Sequence, residues 1–151
     1  MKRCVIYILI LSFALLSACA QSAAADIASG TSATLVVSGN GISKSYTRAD
    51  LEALPVSQTV FKDVTYKGVT ISALLQDAGF DLSKVKAVKA VAKDGFTVNY
   101  DPSQVLVNEV IVAYARVDGD LAEEDGAFRM VLPGAEGKLN VRMLVELQII
   151  L

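Results

Sequence analysis

The chain has 151 residues, room for one domain and hardly two, and 53% of them are hydrophobic. It carries 14 basic and 16 acidic residues and no histidine. That balance excludes a nucleic-acid surface, which needs many cations against phosphates. The missing imidazole excludes Ser-His-Asp and Cys-His nucleophiles, His-ligated zinc and a His-bound haem.

The apolar residues are concentrated early. After Met1-Lys2-Arg3, the only polar side chains from Val5 to Leu16 are Ser12 and the Tyr7 hydroxyl. A positive end, a hydrophobic middle and small residues before Cys19 make residues 1–18 a secretory signal peptide. The run is too short for a comfortable membrane span of about 20 residues. Leu16-Ser17-Ala18-Cys19 resembles the lipobox of bacterial lipoproteins. The resemblance implies lipid on the Cys19 sulfur, cleavage after Ala18, and a protein held by that lipid on the periplasmic or cell-surface side of a membrane. The competing readings are an ordinary signal peptide with an incidental cysteine, or an uncleaved anchor. Without residues 1–18, the basic count falls from 14 to 12 against 16 acidic, a net −4. Cys4 and Cys19 are the only cysteines, so a mature chain holds at most one thiol and no internal disulfide. Residues 19–33 are Ala/Ser/Gly-rich with one charge, Asp26, and are expected to form a flexible tether. Residues 34–151 are the expected globular domain.

Along that domain, Thr34 to Val37 reads as strand, Ser38-Gly39-Asn40-Gly41 as a turn, and Ile42 to Tyr46 as the returning strand. Thr47 can cap a helix reaching Leu54, with Asp50 as the capping-box acid and Pro55 as the stop. Ser57 to Tyr66 alternates as one strand, and Lys67-Gly68 reads as a turn. Ile71, Leu74, Leu75 and Ala78 have helical spacing, closed by Gly79; this is the one helix expected to exceed two turns. Val85 to Ala92 and Phe96 to Tyr100 read as strands about an Asp94-Gly95 turn. Asp101-Pro102 opens a single helical turn. Glu109 to Val117, Ala127 to Leu132 and Val141 to Leu151 complete the strands. The expected class is α+β, mixed and strand-dominated, with short helices.

The second half has an ordered set of pieces: Tyr66-Lys67-Gly68-Val69, Leu74-Leu75, Ala78-Gly79, Ala92-Lys93-Asp94-Gly95-Phe96, Ala113-Tyr114, Asp118-Gly119, Glu124-Asp125-Gly126 and Arg129 to Gly134. With Leu35 to Gly39, Thr47 to Leu51 and Leu54-Pro55, this order resembles the molybdopterin-binding domain of the sulfite-oxidase family of oxidoreductases. The resemblance spans Thr34 to Leu151 and implies the mixed α+β sulfite-oxidase fold. It also implies molybdopterin as the family's cofactor.

The chain departs from that family where the metal would sit. Active members hold molybdenum through a Cys thiolate placed between the Leu-Pro and the Tyr-x-Gly-Val elements, and here Val56 to Thr65 contains no Cys. Ser57 and Thr59 offer only protonated, hard hydroxyls. The family's pterin contacts include His, which is absent. Its Gly-x-Lys-Ser-x-Lys-like stretch reads Gly137-Lys138-Leu139-Asn140-Val141-Arg142, with Lys138 displaced by one. The domain is also shorter than catalytic members. The cofactor-binding candidates are therefore Lys138, Arg142 and Arg129, and no catalytic or metal-ligating residue is assigned. The expectation is a non-catalytic envelope lipoprotein without cofactor, binding a small anionic ligand or an envelope protein partner. The alternative is a molybdopterin-dependent oxidoreductase, or an accessory subunit that holds the cofactor while another chain supplies the metal ligand.

Each remaining candidate has a structural competitor. The acidic run Asp118, Asp120, Glu123, Glu124 and Asp125 reads as a solvated turn against a Ca²⁺ site, since Ala122 stands at a ligand position. Arg129, in an apolar strand, reads as paired with Asp118 or Asp125 against gripping an anion. Lys84, Lys86, Lys89 and Lys93 read as a solvated sheet edge. Phe61, Tyr66, Phe96, Tyr100 and Tyr114 read as core fillers against the walls of an aromatic pocket.

Overall fold

The structure, a computed structural model, describes residues 33–151. The leader, Cys19 and the tether up to Ser32 lie outside the described residues. The described domain is built from nine strands and three short helices. These are β1 (Leu35–Gly39), β2 (Ile42–Tyr46), α1 (Arg48–Glu52), β3 (Val56–Phe61), β4 (Val64–Thr70) and α2 (Ile71–Asp77), followed by β5 (Ala87–Ala92), β6 (Thr97–Tyr100), α3 (Pro102–Val105), β7 (Ile111–Arg116), β8 (Arg129–Val131) and β9 (Leu144–Ile150). Single 3₁₀ turns at Leu82–Lys84, Glu123–Asp125 and Gly137–Leu139 complete the loops.

The strands form two sheets, one of order β2-β1-β9-β5-β6 and one of order β3-β4-β7-β8. β1 and β9 run parallel, and every other pairing is antiparallel. The strand-dominated α+β expectation therefore holds.

Period-two burial fixes how the sheets pack. In β7, Val112 and Tyr114 face the main core with Leu35, Val88 and Leu147. Ile111 and Ala113 face the other way, into a second cluster with Tyr66 and Val131. Both faces of β7 are thus covered, which explains its unbroken apolar run.

The local chemistry behaves as expected in several places. Thr47 accepts from the Asp50 N–H while Asp50 accepts from Thr47 N at 2.7 Å, a complete capping box. Asp101 and Gln104 form a second box, with Pro102 at the first helical position. Ile71, Leu74, Leu75 and Ala78 are buried, and Gly79 follows at φ +93°.

Other expectations need correction. Ser57 to Tyr66 is not one strand, because the chain reverses at Lys62-Asp63, both at positive φ (49° and 63°). That two-residue turn has type I′ signs, matching the twist of the flanking strands. Lys67-Gly68 is not a turn but an irregularity within β4 opposite β7. A side chain on Gly68 would overlap the Val112 carbonyl, so only glycine allows the strands to close there. α2 has 7 residues and does not exceed two turns. The lysine stripe is not a sheet edge, since β5 lies between β9 and β6. Phe96 is not a core residue, being 47% exposed.

Candidate functional site

Three separate segments converge on one cleft of about 340 Å³. The β3–β4 turn supplies Phe61 and Lys62, the β5–β6 turn supplies Asp94 and Phe96, and the stretch after β8 supplies Gly137, Lys138, Asn140, Val141 and Arg142. Arg129, at the start of β8, forms the inner wall. The three sequence candidates, Arg129, Lys138 and Arg142, are thus brought together. Lys62 and Phe96 join them.

Arg129 is the most constrained of these groups, at 3% exposure. Its Nη1 donates to Asp125 Oδ1 at 2.7 Å and to the Tyr66 hydroxyl at 2.9 Å. Its guanidinium carbon lies 5.7 Å from the centre of the Phe61 ring. Asp125, equally buried, also faces Arg142, with Nε at 3.3 Å from the same Oδ1. The pairing of Arg129 with Asp125 is the structural alternative of the sequence reading, and Asp118 takes no part in it. Asp125 thereby fixes one cation inside the wall and steadies a second, 57% exposed, at the cleft.

The acidic run is accordingly dispersed. Asp125 turns inward, Asp120 pairs with Arg48 at 2.7 Å, and Glu123 and Glu124 are exposed. Among the described residues, no cluster of three or more His, Cys, Asp or Glu has metal-holding geometry.

Lys138 and Lys62 are held differently. Asn140, buried, accepts from Leu132 N at 2.7 Å and donates to the Glu136 carbonyl at 3.2 Å. The Tyr100 hydroxyl donates to the Leu139 carbonyl at 2.6 Å. These bonds fasten the turn that carries Lys138. Lys138 pairs with Glu136 at 2.8 Å, both well exposed, and this pairing raises the lysine pKa and keeps it charged. The Lys62 ammonium reaches over Gly137, 3.8 Å from where a Cβ would stand. Lys62 was missed in the sequence because Ser57 to Tyr66 reads as one strand, and Asn140 because its role depends on residues 4 to 8 positions away in a folded loop.

The cleft walls therefore carry four cations, Lys62, Arg129, Lys138 and Arg142, and one carboxylate, Asp94. Counting Asp125 and Glu136 behind them, the region stays net positive. Phe61 and Phe96 add apolar surface, so the pocket alternative for these two aromatics is the observed one. Tyr66, Tyr100 and Tyr114 are buried, as core fillers should be.

The architecture and this basic cleft define a class. The chain belongs to the oxidoreductase molybdopterin binding domain family, whose model matches residues 25–150. It is similar in fold to the sulfane dehydrogenase SoxCD from Paracoccus pantotrophus, with a TM-score of 0.66 and 20% identity over 78% of this chain. The match covers 38% of that chain, so this protein spans less than half of its length. No curated protein matches the sequence.

The donor set decides how far the family's cofactor suits this cleft. Of Val56 to Thr65, only Phe61 and Lys62 line it. A phenyl ring and an ammonium stand there instead of a thiolate. The described residues contain no cysteine and no histidine. Asp94 offers a hard oxygen already accepting from Phe96 N at 2.9 Å. The cations suit a phosphate, but the metal has no soft protein donor. The residues present do not fit the metal-bearing group.

Proposed function

We propose that this protein is an envelope lipoprotein, anchored by lipid on Cys19, whose domain is a non-catalytic module that binds a small anion. The observation that carries the reading is the convergence of Lys62, Lys138 and Arg142 on a cleft without thiolate or imidazole. The fold gathers these cations at one place, so an anion meets them together and only their exposed side chains are left to order. Arg142 can offer two parallel N–H donors, and Lys62 and Lys138 act as point charges. A tethered binding module presents that cleft at the membrane surface.

The test uses the purified full chain. Metal analysis is expected to give no molybdenum, and titration with inorganic phosphate is expected to saturate. Arg142→Ala and Lys138→Ala should each weaken phosphate binding, and rising salt should weaken it further. Absence of any phosphate binding rejects the module. Equimolar molybdenum with pterin that survives desalting rejects the non-catalytic reading and favours an oxidoreductase or its accessory subunit. The basic residues retained in the family's basic segment support that second reading. For the anchor, Cys19→Ser should release the protein from membranes with its fold intact. Recovery of wild type wholly in the soluble fraction with unmodified Cys19 rejects the anchor.

A further inference from the structure

The two sheets end in four edge strands, β2, β6, β3 and β8. An edge strand carries a row of backbone N–H and C=O groups without a neighbour, and folds blunt such rows with charge, proline, bulges, shortness or a covering segment. Three of these edges are blunted. β2 carries Lys44 at its centre, and β6 has 4 residues. β8 has 3 residues and is covered, its Met130 N–H donating to the Val141 carbonyl at 2.8 Å. β3 is not blunted. Its 6 residues, Val56-Ser57-Gln58-Thr59-Val60-Phe61, contain no charge, no proline and no glycine, and their register with β4 has no bulge.

The turn decides which of its backbone groups are spare. A two-residue hairpin turn makes the residues on either side of it a hydrogen-bonded pair, here Phe61 and Val64. Bonded and non-bonded pairs then alternate along the ladder. Phe61, Thr59 and Ser57 turn their N–H and C=O groups to β4, while Val60, Gln58 and Val56 turn theirs outward. Among the described residues, those outward groups have no backbone partner. The side chains of the same three residues are exposed, Val56 at 49% and Val60 at 54%.

The residues along this edge narrow its occupant to a copy of itself. Val56-Ser57-Gln58-Thr59-Val60 reads the same in both directions by side-chain type: valine, hydroxyl, amide, hydroxyl, valine. Two such segments laid antiparallel about a two-fold axis at Gln58 set Val56 against the partner's Val60, Ser57 against the partner's Thr59, and Gln58 against the partner's Gln58. Every pair matches in kind, and no like charges face each other. The pairs 56 with 60 and 58 with 58 are also those that use the spare backbone groups. Pro55, just outside the strand, falls opposite the partner's Phe61 at a non-bonded position, where a missing N–H loses nothing.

We propose that β3 pairs antiparallel with β3 of a second copy of this chain, joining two sheets into one of order β8-β7-β4-β3-β3-β4-β7-β8. The interface is isologous, one patch meeting itself about a two-fold axis. The basic clefts, each reached from Phe61 and Lys62 at the end of its own β3, then stand at opposite ends of the shared ladder. A single strand pair is a small interface, so the association is weak and concentration-dependent.

Sedimentation of the full chain in detergent, from about 1 μM to 1 mM protein, is expected to show monomer passing to dimer. Position 58 gives the decisive variants, because the two-fold axis sets it opposite itself. Gln58→Lys should fold as wild type, its side chain being exposed, and weaken the dimer by about 5-fold or more, since like charges then face each other. Gln58→Glu should do the same, and mixing the two variants should restore association. Gln58→Cys, with Cys4→Ser and Cys19→Ser, should oxidise to a linked dimer, because a directly opposed bonded pair has Cα atoms about 5.5 Å apart. Val56→Cys in that background should not, since its own counterpart stands about 13 Å along the ladder. The Val56, Gln58 and Val60 amides should exchange freely in the dilute monomer and be protected in the dimer. A monomer at every concentration, an unweakened dimer in Gln58→Lys, no restoration on mixing, or equal cross-linking at positions 56 and 58 overturns the proposal. Protection of those amides in the dilute monomer overturns it too, since another segment of the chain then covers the edge. None of these readouts involves phosphate, so this proposal and the anion-binding reading fail separately.

Discussion

Replacing Asp125 with Asn keeps the shape of the side chain and one acceptor oxygen but removes the charge that Arg129 depends on. Arg129 and Asp125 are each 3% exposed, and Arg142 approaches the same carboxylate oxygen at 3.3 Å. The variant leaves a buried guanidinium without a counter-ion and sets a second cation against it. Breaking a buried pair from one side costs about 3–5 kcal/mol, because the stranded charge has lost its hydration. A domain of this size has roughly 5–15 kcal/mol in total, so the loss removes a large share of it and lowers the melting temperature by about 10 °C or more. Urea unfolding followed by circular dichroism measures it, with an unchanged slope against denaturant confirming that the folded state alone is affected. Two further variants separate charge from shape. Tyr66→Phe removes the second acceptor of Arg129 Nη1 and should cost about 1.5–3 kcal/mol, the range for a bond to a charged group. The double variant Asp125→Leu/Arg129→Met should recover most of the loss, since an apolar pair of similar volume needs no hydration replaced. A cost below about 1 kcal/mol for Asp125→Asn, the size of an exposed pair, would falsify the buried-pair account and place Arg129 in contact with cleft water.

Leu74, fully buried in α2, should cost about 2–5 kcal/mol when cut to Ala, measured by the same denaturation; a loss under about 0.5 kcal/mol would mean that it does not reach the core. Asp77 is held below the ordinary carboxylate range by hydrogen bonds from Lys44 and then Tyr46. A depressed folded pKa gives stability present above the unfolded value, about 3.9, and lost as pH falls through the folded value. The urea midpoint should therefore decline below about pH 4, less steeply in Asp77→Asn; identical acid slopes in the two proteins sink that assignment. Asp63→Gly should relieve one left-handed residue of the β3–β4 turn and stabilise by about 0.5–1 kcal/mol with phosphate binding unchanged, whereas Lys62→Asn should weaken phosphate binding. Equal phosphate affinity in Lys62→Asn and wild type removes Lys62 from the site.

Where structure follows from neighbours in sequence, the chain could be read directly. The Thr47 and Asp101 caps, the buried face of α2, its Gly79 end and the Asp94-Gly95 turn are all local. The β3–β4 reversal was not legible, because Lys62-Asp63 is not one of the Asn-Gly or Asp-Gly pairs that announce a type I′ turn. Sheet order was not legible either. β9 inserts between β1 and β5 from far along the chain, so nothing around Lys84 to Lys93 tells that β5 is an interior strand. The site lies between these cases. A lone arginine in an apolar strand must be paired, which made Asp118 or Asp125 a candidate partner for Arg129, and the basic pair Lys138 and Arg142 stood out by resemblance. The cleft itself exists only because turns from three distant segments meet.

The backbone strain falls around that meeting point. Four non-glycine residues of the described domain have positive φ, and three of them, Lys62, Asp63 and Met143, flank the basic cleft. Left-handed backbone at such residues costs roughly 1–3 kcal/mol each and persists only when the surroundings enforce it. At Met143 the enforcement is visible, since its N–H donates to the Asp125 carbonyl at 2.7 Å and its carbonyl accepts from Lys93 N at 2.8 Å. Gly126 makes the approach possible, because a Cβ there would lie 2.9 Å from the Met143 Cα. The same loop thus supplies the Asp125 carboxylate that steadies Arg142 and the backbone bond that fixes the strained residue beside it. Lys62, strained in its own turn, reaches the cleft from the opposite sheet. The positive φ of Lys62 and Asp63 is what their tight hairpin requires, whereas that of Met143 is held by the loop that pairs Arg142 with Asp125. Both therefore set where the cations of a net-positive cleft stand, and the missing thiolate bears on the metal without touching that frame.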